Sequence, residues 1–181
     1  MNIVKTKLKD CFIFEPTIFG DTRGYFFESY NKSKFESLIG KAIDFIQDNE
    51  AFSNKGALRG LHFQEGGFAQ AKLVRVTQGL VLDVAVDLRP DSETFLQHIA
   101  VELSSDNKKQ LFVPRGFAHG YIVLSQTAVF NYKCDNVYNK DSENGVIYND
   151  KDLNIDWKLS PDQFIVSEKD KILPTIKTLY K

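Results

Sequence analysis

Alternation with a period of two dominates this chain. From Leu80 to Leu88, the residues Leu80, Leu82, Val84, Val86 and Leu88 alternate with Val81, Asp83, Ala85 and Asp87, the pattern of a strand with one polar face. The acids on that face point either to solvent or into a polar barrel interior. Lys72–Val76 reads as another strand, set apart from the first by the turn signal Gln78-Gly79. His98–Leu103, Gln110–Val113, Tyr121–Leu124 and Ala128–Lys133 continue the series, with Gly, Asn, Asp and Pro between them. One segment has helical character, from about Lys34 to Ile39. Ser33 with Glu36 three residues later fits a capping box, and Gly40 fits the stop. No internal repeat or low-complexity linker interrupts the pattern. Many short strands with little helix predict an all-β antiparallel sandwich or small barrel. A jelly-roll β-barrel with few short helices and a lined cavity is the favoured architecture, and an immunoglobulin-like sandwich the alternative.

Composition narrows the class without changing this picture. A chain of 181 residues fits one compact domain, and 43% hydrophobic with 26% charged residues is ordinary for a globular protein. Fifteen Phe and seven Tyr favour strands. Lys and Arg number 23 against 24 Asp and Glu, so no basic excess advertises nucleic-acid binding, while a few converging arginines can still hold an anionic small molecule. Cys11 and Cys134 have no metal spacing and read as two buried thiols in a reducing cytosol. Met1–Asp10 alternates lysines with apolar residues and has no signal core. No run approaches the ~20 apolar residues needed to span a bilayer. The expectation is a soluble cytoplasmic protein with neither membrane nor nucleic-acid partners.

The most unusual stretch is Arg59-Gly60-Leu61-His62-Phe63-Gln64. Strict alternation puts His62 and Gln64 on one face and Arg59 on the other, unless Gly60 supplies a bulge that turns Arg59 to the same side. The plain reading is a surface arginine and a histidine satisfied by the backbone. Lys72 in the next strand changes the balance. A base and an ammonium on adjacent strands suit proton abstraction beside a carbonyl, the lysine steadying the oxyanion. His119 sits in Pro114–Gly120, which reads as a bend before a strand, and His98 reads as structural or exposed. Three histidines without a His-x-His pair speak against a metal. Tyr132 is either a core tyrosine or a general acid. Asp170, in the charged run Ser167–Asp170, is either solvated or the group that orients a histidine. Arg23, in a glycine-bounded loop, joins Arg59, Lys72 and Lys169 as candidates to hold phosphate oxygens.

These residues occur in an order that resembles the dTDP-4-dehydrorhamnose 3,5-epimerase family almost end to end. The marks are Gly20–Gly24 with Glu28, Gln47-Asp48-Asn49, Arg59–Gln64, Lys72–Arg75, Asp83–Asp87, Pro114–Gly120 and Ser167–Asp170. The chain departs from the usual pattern at Ala71, Lys140 and Tyr148. The resemblance implies a cupin-type jelly roll acting without a metal or other cofactor, as a homodimer that exchanges its amino-terminal strand. It implies a dTDP-sugar substrate, with His62 as base oriented by Asp170, Lys72 stabilising the enolate and Tyr132 as the opposing acid. Arg23, Glu28, Gln47, Asp48, Asn49, Arg59, His119, Tyr138, Glu143 and Lys169 would line the substrate site, partly from the partner subunit. The implied reaction inverts carbons 3 and 5 of a 4-keto sugar, in dTDP-L-rhamnose synthesis. A monofunctional 3- or 5-epimerase is the nearest alternative, ahead of a metal-dependent cupin oxygenase or a non-catalytic nucleotide-sugar binding module.

Overall fold

A computed structural model describes residues Met1–Lys181. Strands numbered in chain order assemble into two facing sheets. The first runs β1 (Asn2–Lys5), β2 (Phe12–Glu15), β10 (Gln110–Val113), β7 (Lys72–Gln78), β12 (Thr127–Cys134) and β5 (Gln47–Asn54). The second runs β13 (Glu143–Gly145), β6 (Ala57–Gln64), β11 (Phe117–Val123), β8 (Leu80–Asp87) and β9 (His98–Ser104), with β14 (Ile165–Val166) parallel to β6. A third, two-stranded sheet is the hairpin of β3 (Phe19–Asp21) and β4 (Gly24–Phe26). Apart from β14, the pairings are antiparallel. This is the expected all-β jelly roll, built as two facing sheets, and its helices are short: α1 (Lys32–Ile39), α2 (Glu168–Lys171) and α3 (Ile176–Leu179).

The alternation of β8 has a physical use on both faces. Val81 and Ala85 point between the sheets, where they pack with Val74, Leu111, Val123 and Phe130. Leu82, Val84 and Val86 point outward, but the carboxyl-terminal segment covers them with Val146, Leu153, Trp157 and Ile176. Each such fully buried aliphatic side chain contributes roughly 1.5–3 kcal/mol of transfer free energy. Asp83 and Asp87 share the inward face and are fully buried, so the acids point into the interior and not to solvent. Every buried side-chain polar atom has a hydrogen-bond partner. On the outer side of the first sheet, α1 lays Phe35 against Phe14, Leu73 and Phe112.

Three local expectations need correction. The cap of α1 is Asn31, whose side chain accepts from Lys34 N, and not Ser33; Gly40 does close the helix, with φ 69°. The bend at Pro114 is only Arg115-Gly116 wide, so β11 begins at Phe117 and His119 lies inside a strand. Finally, β6, β7 and β8 are not neighbours in one sheet. Both β6 and β8 belong to the second sheet and β7 to the first, because connections between successive strands here cross from one sheet to the other.

Candidate active site

The strand β6 supplies two cleft side chains because its alternation breaks once. Leu58 and Leu61 both face the outer core, while Arg59 and His62 both face the space between the sheets. Opposite them on β11, His119 pairs with His62 and Tyr121 with Arg59, with a register shift between the two pairs. Three steps on β6 thus match two on β11, which is a β-bulge. Gly60 occupies it with φ +114°, and a Cβ there would meet His119 O at 2.7 Å and Gly120 Cα at 2.8 Å. Only glycine fits that backbone and that space. The sequence-based suggestion of a bulge at Gly60 therefore agrees with the register.

His62 and Arg59 open on a cleft of about 500 Å³ that Lys72, His119, Tyr121, Tyr132, Lys169 and Asp170 also line. Nε2 of His62 lies 2.7 Å from Asp170 Oδ1. A carboxylate only accepts, so Nε2 carries the hydrogen and Nδ1 is left as the basic nitrogen. Asp170 reaches β6 because Ser167 caps α2, its side chain accepting from Asp170 N. Gly60 N donates to Asp170 Oδ2 at 3.3 Å. Burial opposes ionisation of Asp170, but the bond and charge of His62 and the Gly60 amide outweigh it. The carboxyl is held below its ordinary value.

Lys72 and Tyr132 occupy the opposite wall, on the neighbouring strands β7 and β12 of the first sheet. The Lys72 Nζ stands 6.0 Å from the centre of the Tyr132 ring. His62 and Lys72 therefore face each other across the cleft from different sheets, which corrects the expectation of adjacent strands. Burial pushes the Lys72 ammonium below the usual lysine range, against smaller opposing effects of Cys134, Asp83 and Glu143. Burial also raises the Tyr132 phenol. Both shifts have one cause, since a site screened from water disfavours whichever form is charged.

Around this centre the other expected residues divide. His119 donates from Nε2 to both oxygens of Asp83, at 2.9 and 3.0 Å. Arg59 donates to Ser53 Oγ, which meets the Tyr121 hydroxyl. At one edge Glu143 accepts from the Tyr138 hydroxyl at 2.7 Å and pairs with Lys169, and Gln47 accepts from Tyr138 N at 3.3 Å. The amide of Asn49 reaches toward Cys134 Sγ. Asp48 pairs with Lys133 and lines a separate groove. Arg23 lies on the β3–β4 hairpin, paired with Asp21, and Glu28 pairs with Lys34. Neither of these two lines the cleft of its own chain. Tyr121 is a cleft residue that sequence reasoning did not single out, and Ser53 and Asp83 stand buried behind the lining, holding Arg59 and His119. The inward acid of β8 was the one available signal. No three His, Cys, Asp or Glu side chains gather in an arrangement that could hold a metal ion.

A carboxylate-oriented imidazole facing an ammonium and a phenol across a jelly roll defines a cupin-fold enzyme of the acid–base type, equipped to move protons at a carbon acid. The chain belongs to the dTDP-4-dehydrorhamnose 3,5-epimerase family, whose model matches residues 5–178. The dTDP-4-dehydrorhamnose 3,5-epimerase of Escherichia coli (strain K12) is 49% identical over 181 residues, covering 100% of this chain and 97% of that protein. The crystal structure of the enzyme of the same name from Elizabethkingia anophelis superposes with a TM-score of 0.96 at 59% identity, covering 98% of this chain and 97% of the other. A dTDP-6-deoxy-D-glucose-3,5-epimerase from Legionella pneumophila, solved with dTDP-4-keto-L-rhamnose, superposes with a TM-score of 0.93 at 46% identity. It covers 97% of this chain and 93% of that one.

Proposed function

We propose that this chain epimerises dTDP-4-dehydro-6-deoxy-D-glucose at carbons 3 and 5 to give dTDP-4-dehydro-L-rhamnose, a step of dTDP-L-rhamnose biosynthesis. The observation that carries the reading is the division of the cleft. His62 with Asp170 stands on one sheet, and Lys72 with Tyr132 on the other. Inversion of a carbon needs a base on one face of the sugar and an acid on the opposite face, and opposed walls supply both.

The ketone at carbon 4 acidifies the hydrogens at carbons 3 and 5. Nδ1 of His62 takes one of these protons. The carbon–hydrogen electron pair moves into the enolate, and negative charge collects on the carbonyl oxygen. The Lys72 ammonium, in a site screened from water, stabilises that oxygen more than it would in solvent. Asp170 holds the imidazole and stabilises the imidazolium. The Tyr132 phenol then gives a proton to the same carbon from the other face, and solvent restores both groups. Arg59 and Lys169 are the cations of the cleft suited to the diphosphate.

The substrate site is completed in a dimer. Arg23 and Glu28 stand away from their own cleft, and the hairpin that carries Arg23 exposes Phe19, Tyr25 and Phe26. We propose that this amino-terminal hairpin crosses to the cleft of a second copy, each copy otherwise being one jelly-roll domain. Two free buried thiols, Cys11 and Cys134, suit a reducing cytoplasm, and no helix is long and apolar enough to cross a membrane. Wild-type protein given the 4-keto sugar should turn it over, while His62→Ala should bind dTDP and lose turnover by about 10²-fold or more. An undiminished rate in the variant would remove His62 from the role of base.

A further inference from the structure

Lys72 is the first residue of β7, paired on its two flanks with Cys134 of β12 and Val113 of β10, and the ladder does not continue toward the amino terminus beyond it. On that side stands Ala71, 2% exposed. Its amide has no water to turn to, and it donates to Asp135 Oδ1 at 2.6 Å. Asp135 N donates back to Ala71 O at 3.2 Å, closing a ring between the two strand ends. The second carboxylate oxygen accepts from Arg115 Nε at 2.8 Å, and Arg115 Nη2 reaches Asp135 O at 3.4 Å. Arg115 belongs to the turn that leads into β11, the strand of His119. One carboxylate thus fastens the entry of β7, the end of β12 and the start of β11, which carry Lys72, Tyr132 and His119. Asp135 itself does not line the cleft.

We infer that Asp135 is a positioning residue for proton transfer: by holding the Ala71 amide, with Arg115 behind it, it fixes where the Lys72 ammonium stands relative to Tyr132. This rests on the epimerase reading above. A peptide at 71–72 released from its anchor moves the root of the lysine side chain, and displacements of about 1 Å in such sites cost up to ~10²-fold in rate. The substrate is bound by other residues, so the loss belongs in kcat and not in KM.

The experiment is a double-mutant cycle on the intact protein, read as deuterium uptake from solvent into the 4-keto sugar. Asp135→Ala should lower kcat by about tenfold or more with KM little changed. In a Lys72→Ala background the same substitution should change kcat by less than about twofold, because the group it positions is gone. Asp135→Asn keeps an oxygen for the Ala71 amide and should restore most of the rate. If Asp135→Ala does not fold, Arg115→Ala completes the cycle. It should slow the wild type by about threefold and leave Lys72→Ala unchanged. Equal losses in both backgrounds, or a full rate in both variants, overturn the assignment. Wild-type protein that does not turn over the sugar overturns the epimerase reading and this inference together.

Discussion

At the scale of the residue, burial sends Lys72 and Tyr132 in opposite directions, favouring the protonated phenol and opposing the charge of the ammonium. The phenol is raised, so it keeps the proton that the proposed mechanism has it donate. The ammonium is lowered from the ordinary lysine value of 10.5, so it loses its proton at a lower pH than an exposed lysine does. A cation that stabilises an oxyanion works below its pKa and fails above it. The alkaline limb of kcat should therefore report Lys72 and fall below the ordinary lysine range. Lys72→Arg keeps its charge to much higher pH, so in the activity that remains the limb should move upward. A limb that stays in place would assign it to another group. Residues of this kind were legible as chemical types in sequence, while the pairing of His62 with Asp170 came from the family resemblance and not from their spacing. Asp170 lies 108 positions from His62, and only the capping of α2 by Ser167 brings it there. Asp83 hid within an alternating strand, where an inward acid and an outward one look alike.

At the scale of the element, the bulge in β6 decides the chemistry. Without it, Arg59 would leave the cleft or His62 would. Gly60→Ala places a Cβ within 2.7 Å of backbone at a left-handed φ of +114°, so it should cost about 2 kcal/mol or more of stability. Activity should fall with it, since the phase of β6 depends on this residue. Urea unfolding of the purified variant checks the first point and turnover the second; stability and rate equal to wild type would contradict the role given to the bulge. Alternation placed the strand cores of β7 to β12 well, because a two-residue period survives any crossing of the chain. It did not report which sheet each strand joins. The turn at Gln78-Gly79 looks like a hairpin in sequence and is a crossing between sheets in the fold. The cap of α1 was misread because Asn31 and Ser33 are both good capping residues, and only the backbone of Asn31, at φ −146° and ψ 115°, has cap geometry. The three-residue exposed strands β3 and β4 are too short to show alternation and gave no signal.

At the scale of the whole molecule, two facing sheets separate His62, the proposed base, from Tyr132, the proposed acid, and the polar interior is divided between two acids of β8. Asp83 faces the cleft through His119, while Asp87 binds Arg89, Ser92 and Thr94. The jelly-roll class was legible because short alternating strands with brief turns have few other destinations. The placement of Arg23 and Glu28 was not, since neither lines the cleft of its own chain and the proposed reading takes them to the cleft of a second copy. Sedimentation of the wild type should give twice the mass of one chain, and Phe26→Asp, which charges the exposed hairpin, should give single chains with weakened dTDP binding. A wild type that sediments as single chains while turning over substrate would contradict the shared site. The central claim concerns two carbons of one sugar, and a proton NMR time course in deuterium oxide with dTDP-4-keto-6-deoxy-D-glucose tests it most directly. Deuterium entering carbons 3 and 5, with inversion at both, is the predicted result. Exchange at one carbon alone, or none beyond the enzyme-free control, would contradict it.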